Sequence, residues 1–277
     1  MKHFAAVLPL IGMCAFAPVL ASAAPASLAP HRAVYDMKLE AASAQAGVTG
    51  VVGRMVYDFS GNACDGYSVK FRFVTQFQDP SGASQVTDLR TTSYEDGKAR
   101  SFEFLSETYV NNKLIEETRG AARQAAQTKT VELAKPESRA LEISGNALFP
   151  TEHLRFIISA ALKGERFVAA DVFDGSETGD KVYPTTAFIG APRSGVVAEG
   201  ERMALAALAG ADYWPVTIAY FEPADGTSGE QTPAYQLSFL LHENGVSHDL
   251  TLDYGDFKLS GELQELEFYD VGGCGEK

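Results

Sequence analysis

Four histidines beyond the first 23 residues are the side chains best suited to bind a metal ion or transfer a proton. They are His31, His153, His242 and His248, and no two have the spacing of a helical metal-binding pair. His242 and His248 flank an Asn-Gly turn, where they could oppose each other across a hairpin and hold a metal ion together with Glu243. Histidines beside a turn are more commonly solvated, and we favour that interpretation.

A second candidate metal site is the acidic stretch from Asp174 to Asp180. Acidic and hydroxyl side chains alternate along it, and Gly179 is sixth, which follows the order of a calcium-binding loop. However, Thr185 stands where such a loop requires a bidentate glutamate, and both flanks have the alternation of strands rather than helices. We therefore predict an acidic hairpin turn and keep calcium binding as the alternative.

Two cysteines, Cys64 and Cys274, offer disulfide chemistry, because the third, Cys14, lies in an apolar leader segment. Two thiols in an exported chain most simply form one disulfide bond, and both cysteines lie in glycine-rich stretches rather than in apolar ones. Two free buried thiols remain the alternative at this point. A catalytic redox pair is disfavoured, because such cysteines are normally close in sequence.

Signatures of catalysis are missing from the sequence. It contains no G-x-S-x-G, H-E-x-x-H, C-x-x-C, phosphate-binding loop or dinucleotide-binding glycine motif. The residues therefore predict a protein that is not an enzyme and that binds no cofactor.

The N-terminus has the features of a secretory signal peptide. Residues 1–23 contain one lysine, an uncharged run from Phe4 to Leu20 and an Ala-Ser-Ala box, which predicts cleavage after Ala23 and export. Without this segment the net charge becomes −14, from 22 basic and 36 acidic side chains. Such a charge disfavours nucleic acids and anionic lipid headgroups as partners. No later apolar run approaches the ~20 residues of a membrane helix.

The remaining chain, residues 24–277, reads as a single, mostly β domain. Tyr67, Val69, Phe71 and Phe73 alternate with polar residues, the period-two pattern of a half-buried strand. Similar alternation recurs along the chain, including the polar interval 122–146. The segment 149–164 departs from it, with apolar residues at helical spacing, Thr151 as the expected N-cap and Gly164 as the stop. We expect one amphipathic helix to cover the concave face of a bent sheet.

Several segments together resemble the envelope-integrity EipB family of alphaproteobacterial periplasmic proteins, long known as a domain of unknown function. They are LAPHRAVYDMKL, CDGYSVKFRF, the stretch from LFPTEHLRF to TTAFIG, YWPVTIAYF and ELQELEFYDVGGC, in that order. The resemblance implies a periplasmic β-spiral, a long and strongly bent antiparallel sheet with a central helix, similar in shape to LolA and LolB. It also implies a disulfide between Cys64 and Cys274, a role in maintaining the cell envelope, and no known ligand or catalytic residue.

Two functional hypotheses follow. The first is a non-enzymatic scaffold or adaptor that binds other periplasmic or envelope proteins through its sheet surface. The alternative is a carrier that holds a lipid or a lipoprotein acyl chain in the concave face, on analogy of shape. The many aromatic residues on the predicted strands suit a filled core in the first case and an apolar groove in the second.

Overall fold

The computed structural model describes residues 27–195, 199–223 and 231–270. Within them the chain forms fourteen β-strands and one α-helix, α1 (Pro150–Leu162). The strands before the helix are β1 (His31–Ala42), β2 (Gly50–Asn62), β3 (Gly66–Gln78), β4 (Ser84–Glu95), β5 (Ser101–Val110), β6 (Lys113–Ala125), β7 (Thr128–Lys135) and β8 (Arg139–Ser144). Those after it are β9 (Phe167–Val172), β10 (Tyr183–Ile189), β11 (Tyr213–Tyr220), β12 (Tyr235–His242), β13 (Ser247–Asp253) and β14 (Phe257–Phe268).

All fourteen strands belong to one antiparallel sheet whose centre joins the two ends of the chain. The order runs from β8 back to β1, then to β14, and on to β9, so β8 and β9 are the two edges. Among the described strands, each pairs with its neighbour in sequence except at β8 and β9, and β1–β14 is the pairing that joins strands far apart in the chain. The predicted mostly-β, bent antiparallel sheet with one helix is confirmed, as are the strands predicted within 122–146.

The alternation of apolar and polar residues gives the sheet an inner and an outer face. On β3, Tyr67, Val69, Phe71 and Phe73 belong to or pack against the main core, whereas Lys70 on the other face is exposed. The helix α1 lies on the inner face, where Ile157 and Ile158 are fully buried in the same core. Burial of each such side chain stabilises the fold by about 1.5–3 kcal/mol, and this contact therefore holds the helix on the sheet.

The two edges of the sheet are brought together without closing into a barrel. Leu148, just before the helix, donates its N–H to Asp171 at 2.7 Å and accepts from the N–H of Phe173 at 2.9 Å, forming a parallel bridge to β9. Beyond β9 the chain packs onto the inner face of β5, where a Cβ on Gly175 would lie 2.5 Å from the ring of Phe104. Gly175 also has a φ of +69°, so both space and backbone conformation favour glycine there.

The start of α1 differs from the prediction. Thr151 lies inside the helix, whose N-cap is Phe149 and whose first residue is Pro150. The first N–H groups of the helix, which have no acceptor within the helix, bond to a strand instead: Glu95, the last residue of β4, accepts from the N–H of Thr151 at 2.7 Å and of Glu152 at 2.8 Å. A long-range carboxylate thus replaces the local cap, which spacing along the helix does not reveal.

Glu95 makes the stability of the protein depend on pH. Burial raises its pKa from 4.5 to about 7, although the N–H groups of Thr151 and Glu152 favour the carboxylate. The folded protein therefore retains a proton that the unfolded chain has lost, and the free energy of unfolding falls as pH rises from 4.5 to about 7. The full effect is on the order of 3 kcal/mol.

We expect Glu95→Gln to remove this part of the pH dependence, because glutamine does not titrate. Urea unfolding at about pH 5 and about pH 8 would measure it. The stability loss between the two conditions should be smaller in the variant than in the wild type. Glu103→Gln, an exposed neighbour on β5, is the matched control. Equal losses in wild type and Glu95→Gln would contradict the assignment.

The hairpin between β12 and β13 is confirmed, but not its turn type. We expected an Asn-Gly type I′ turn, which needs two positive φ angles. Of Asn244 and Gly245, only Gly245 has a positive φ, of +88°, and the N–H of His242 donates to the carbonyl of Val246 at 2.9 Å. The loop is therefore longer than a two-residue turn. The apolar spacing changes between Leu263 and Leu266, which predicts a β-bulge, and a register shift between β1 and β14 at this point confirms it.

Candidate functional site

The histidines His242 and His248 are buried rather than solvated, so the interpretation favoured from the sequence is wrong. Their exposed fractions are 3% and 0%, and the two rings stack with centroids 5.3 Å apart. Glu243 is exposed, whereas Glu201 lies 2.7 Å from Nδ1 of His248. The physical reason is the β10–β11 loop, whose short 3₁₀ helices at 199–201 and 204–208 cover this part of the sheet.

Glu201 anchors that loop to the sheet through three hydrogen bonds. It accepts from Nδ1 of His248, from the N–H of Asp249 at 2.9 Å and from the N–H of Leu263 at 2.8 Å. The paired part of β13 and β14 begins only at Leu250 and Gly261, so these N–H groups lie where the strands separate. Burial acts to raise the pKa of Glu201, but the three donors outweigh it and lower the pKa.

The other predicted metal ligands are occupied by protein contacts. His31 and His153 are buried, and burial lowers the pKa of His153 to about 4. The stretch from Asp174 to Asp180 forms the predicted turn between β9 and β10, where Asp180 pairs with Arg139. Across residues 27–195, 199–223 and 231–270, no cluster of three or more His, Cys, Asp or Glu side chains is arranged to hold a metal ion.

Cys64 lies at the tip of the β2–β3 hairpin, in an exposed turn whose shape is fixed by Asn62. The Asn62 side-chain oxygen accepts from the N–H groups of Cys64 at 2.8 Å and of Asp65 at 2.9 Å. Cys274, the other half of the expected disulfide, lies outside the described residues. The pairing therefore remains a prediction.

The inner face carries a row of aromatic rings at the end of the sheet where β11 stops and β12 begins. Tyr220 stacks on Tyr235 at 4.5 Å, and Tyr254 stacks on Phe257 at 5.0 Å, which meets Phe77 edge-on at 6.1 Å. None of these five is fully buried. This aromatic row is the candidate surface for an acyl chain.

The outer face carries an aliphatic patch formed by Val52, Val86, Leu114 and Ile115. Their exposed fractions are 61%, 36%, 42% and 59%. Val52 and Val86 are both opposite Gln76 on the intervening strand, and Leu114 and Ile115 lie at the β5–β6 turn near the same end of the sheet. This patch is the candidate surface for a protein partner.

The chain is similar to a known protein family over most of its length. The EipB-like family model matches residues 22–270. The chain belongs to the EipB-like family. A curated relative named cell envelope integrity protein EipB, from Brucella abortus (strain 2308), is 39% identical over 257 residues, covering 93% of this chain and 90% of that protein. The resemblance seen in the sequence is confirmed.

A solved structure supports the fold of this EipB-like chain. The crystal structure of a β-barrel-like protein of unknown function from Brucella abortus aligns with a TM-score of 0.82 and 40% identity, over 88% of this chain and 99% of that one. In the described residues of the EipB-like chain, no helix is long and apolar enough to cross a membrane.

Sequence reasoning missed two of the buried carboxylates, Glu95 and Glu201. Both lie in segments that look polar, and their donors come from Thr151, His248 and Leu263, which are 47 to 62 residues away. A weak signal was present for Glu201, because it precedes the apolar run from Met203 to Ala211. Such a run has to pack on something, which makes burial of its neighbours more frequent.

Proposed function

We propose that this chain is a non-enzymatic periplasmic protein that maintains cell envelope integrity as a scaffold or adaptor for other envelope proteins. The envelope role rests on the family and on the name of the relative from Brucella abortus. Periplasmic location rests on the signal-like sequence of residues 1–23, which lie outside the described residues.

The observation that carries the adaptor role is the aliphatic patch. Two of its side chains, Val52 and Ile115, are about 60% exposed, although strands of this sheet bury their apolar side chains on the inner face. Clustered exposed aliphatic side chains are typical of protein interaction sites. Because the mature chain is strongly acidic, a protein partner fits this patch better than an anionic membrane surface does.

The side chains beside the aliphatic patch form an ion-pair network that fixes their conformation. The Asp88 carboxylate forms salt bridges with the guanidinium nitrogens of Arg72 at 2.9 Å and of Arg90 at 2.7 Å. The Arg90 guanidinium also lies 4.5 Å from the centroid of the Tyr109 ring. The hydrogen bond from Arg72 is the largest of the contributions that lower the pKa of Asp88 to about 2. The network therefore stays charged at physiological pH, and less ordering is needed when a partner docks.

Photo-cross-linking in the periplasm tests the adaptor role. A photoreactive residue at Leu114 should yield a discrete adduct with an envelope protein, and Ile115→Lys should reduce its amount at least about tenfold, because a buried unpaired lysine is costly. Thr92→Lys adds the same charge to an exposed site on the same face and should leave the adduct intact. Equal adducts in both variants would contradict the proposal.

The aromatic row favours a second function, a carrier of a lipid or lipoprotein acyl chain. Half-buried rings on a concave sheet face offer apolar area that a chain of methylene groups can cover. Native mass spectrometry of protein incubated with envelope lipid extract tests this function. A one-to-one acyl adduct that is lost in Phe77→Asp supports the carrier, whereas an unliganded spectrum contradicts it.

A further inference from the structure

A groove of about 970 Å³ crosses strands β3 to β8 on the outer face of the sheet. Two rows of side chains form its banks. The cationic row runs from Lys70 on β3, through the residues paired with it on β4 and β5, to Arg119 on β6. The acidic row runs beside it and continues to β8, and it contains Glu103 on β5 and Glu132 on β7.

Main chain and small side chains form the floor of the groove. Between the two rows, β5 and β7 contribute Phe104 and Leu133, whose side chains are buried in the core on the inner face. These residues therefore present their main chain to the groove. Ala121 and Ala134 leave the space above the floor open, because their side chains are small. The two rows are two residues apart along each strand, which makes the groove roughly 7 Å wide, enough for one unbranched chain.

The charges on the two banks are available to a ligand. Lys70, Glu103, Arg119 and Glu132 are all exposed, and in the part of the chain that the structure describes none of them forms an ion pair. Cations line one side of the groove and carboxylates line the other. A ligand that is complementary to both banks therefore carries both signs of charge.

The strand spacing sets the positions of these four charges along the groove. Neighbouring strands are about 4.8 Å apart, so Arg119, three strands from Lys70, lies about 14 Å away from it. Glu103 and Glu132 are two and four strands from Lys70, which places them about 10 Å and about 19 Å along the other bank.

An extended peptide has the matching pattern. Its residues advance about 3.4 Å each, and successive side chains point to opposite sides. When position 1 lies opposite Lys70, position 5 reaches Arg119 on the same bank, at about 14 Å. Positions 4 and 6, at about 10 Å and about 17 Å, point to the other bank and reach Glu103 and Glu132.

We propose that this groove binds an extended segment of a partner protein, with acidic side chains at positions 1 and 5 and basic side chains at positions 4 and 6. The proposal rests on the adaptor role and adds a second contact to it, because the aliphatic patch lies toward the opposite ends of these strands. Thr92, the control position for that patch, belongs to the cationic row, so Thr92→Lys adds to the charge that this contact uses.

An NMR titration of the ¹⁵N-labelled protein at low ionic strength tests the proposal. The probes are the peptide ESAKEKS and its reversed sequence SKEKASE, because the groove is open at both ends to either chain direction. At least one of them should saturate with a Kd below about 1 mM and shift the amides of Phe104 and Gly120 on the floor. The peptide QSAQQQS, without the four charges, should bind at least about tenfold more weakly.

A charge exchange tests the register. Arg119→Glu, at an exposed position, should weaken binding at least about tenfold, and placing lysine at the peptide position that faces residue 119 should restore it. Arg123→Glu makes the same change on the same strand outside the groove, and it should alter the Kd by less than about twofold. An unchanged Tm in both variants would show that the fold is retained.

The proposal is overturned if neither peptide saturates, if QSAQQQS binds as tightly as they do, or if Arg119→Glu binds as the wild type does. Failure of the exchanged peptide to restore binding to Arg119→Glu would also overturn it. None of these results decides the adaptor role itself, which the cross-linking at Leu114 tests separately.

Discussion

Replacing Cys64 or Cys274 with serine is expected to lower the free energy of unfolding by about 2–5 kcal/mol, because the disulfide would close a loop of about 210 residues. A loss of this size lowers Tm by roughly 5–15 °C in a domain of this length. Thermal unfolding followed by circular dichroism would measure it. Adding a reductant to the wild type should produce the same shift.

The register of the sheet supports this pairing. Phe268 of β14 lies opposite His31, and His31 lies opposite Phe59 of β2, so the three share one row. Both β14 and β2 are antiparallel to β1 and thus leave that row in the same direction. About 10 Å separates them, as two strand spacings require, and five or six further residues on each side can close that distance.

The residue that follows β14, Tyr269, contacts β2 directly. The hydroxyl of Tyr269 donates to the Asp58 carboxylate on β2 at 3.0 Å, across β1. This contact brings the described chain end at residues 269–270 close to β2, the strand that precedes the Cys64 turn.

The double variant distinguishes a pair from two independent thiols. If Cys64 and Cys274 are partners, the double serine variant should be no less stable than either single variant, since one bond is lost in all three. Ala63→Ser, in the same exposed turn, controls for the added hydroxyl. Additive losses, or a wild type unaffected by reductant, would refute the disulfide.

Glu201→Ala is expected to be the most damaging single change outside the disulfide, at about 3 kcal/mol. Removing the carboxylate leaves the side-chain N–H of His248 and the backbone N–H of Leu263 buried without an acceptor, and the part-buried N–H of Asp249 loses its acceptor too; each such donor is costly. Chemical denaturation at neutral pH would measure the loss. Glu199→Ala, exposed on the same 3₁₀ helix, should change stability by less than about 0.5 kcal/mol.

Hydrogen exchange would locate the effect of Glu201→Ala. The amides of Asp249 and Leu263 should lose their protection in this variant, while the amides paired between β2 and β3 keep theirs at matched stability. Slow exchange at Asp249 and Leu263 in the alanine variant would show that Glu201 is not what holds the loop to the sheet.

The architecture was predictable because it depends on local pattern. Period-two alternation in β3 and helical spacing at Ile157 and Ile158 each require one face to be buried, and the fold follows from those faces. Sheet order also follows, since neighbouring strands are joined by short hairpins. The β1–β14 contact and the edge order were not derivable from these local patterns.

The buried polar contacts were not predictable, because each joins residues far apart in sequence. Nothing around Glu95 indicates a helix N-terminus 56 residues later, and His248 looks solvated until the β10–β11 loop covers it. A locally polar segment can be buried by a segment that is distant in sequence. Only the three-dimensional structure shows which distant segment covers it. The aliphatic patch and the aromatic row are likewise built from residues far apart in sequence, so local sequence patterns do not reveal them.

The central claim, an envelope adaptor that acts through the aliphatic patch, is tested most directly by complementation. A strain lacking this protein would express the wild type, Ile115→Lys or Thr92→Lys at equal levels and be plated on detergent. We predict that the wild type and Thr92→Lys restore growth and that Ile115→Lys, with an unchanged Tm, does not. Full restoration by Ile115→Lys would contradict the account.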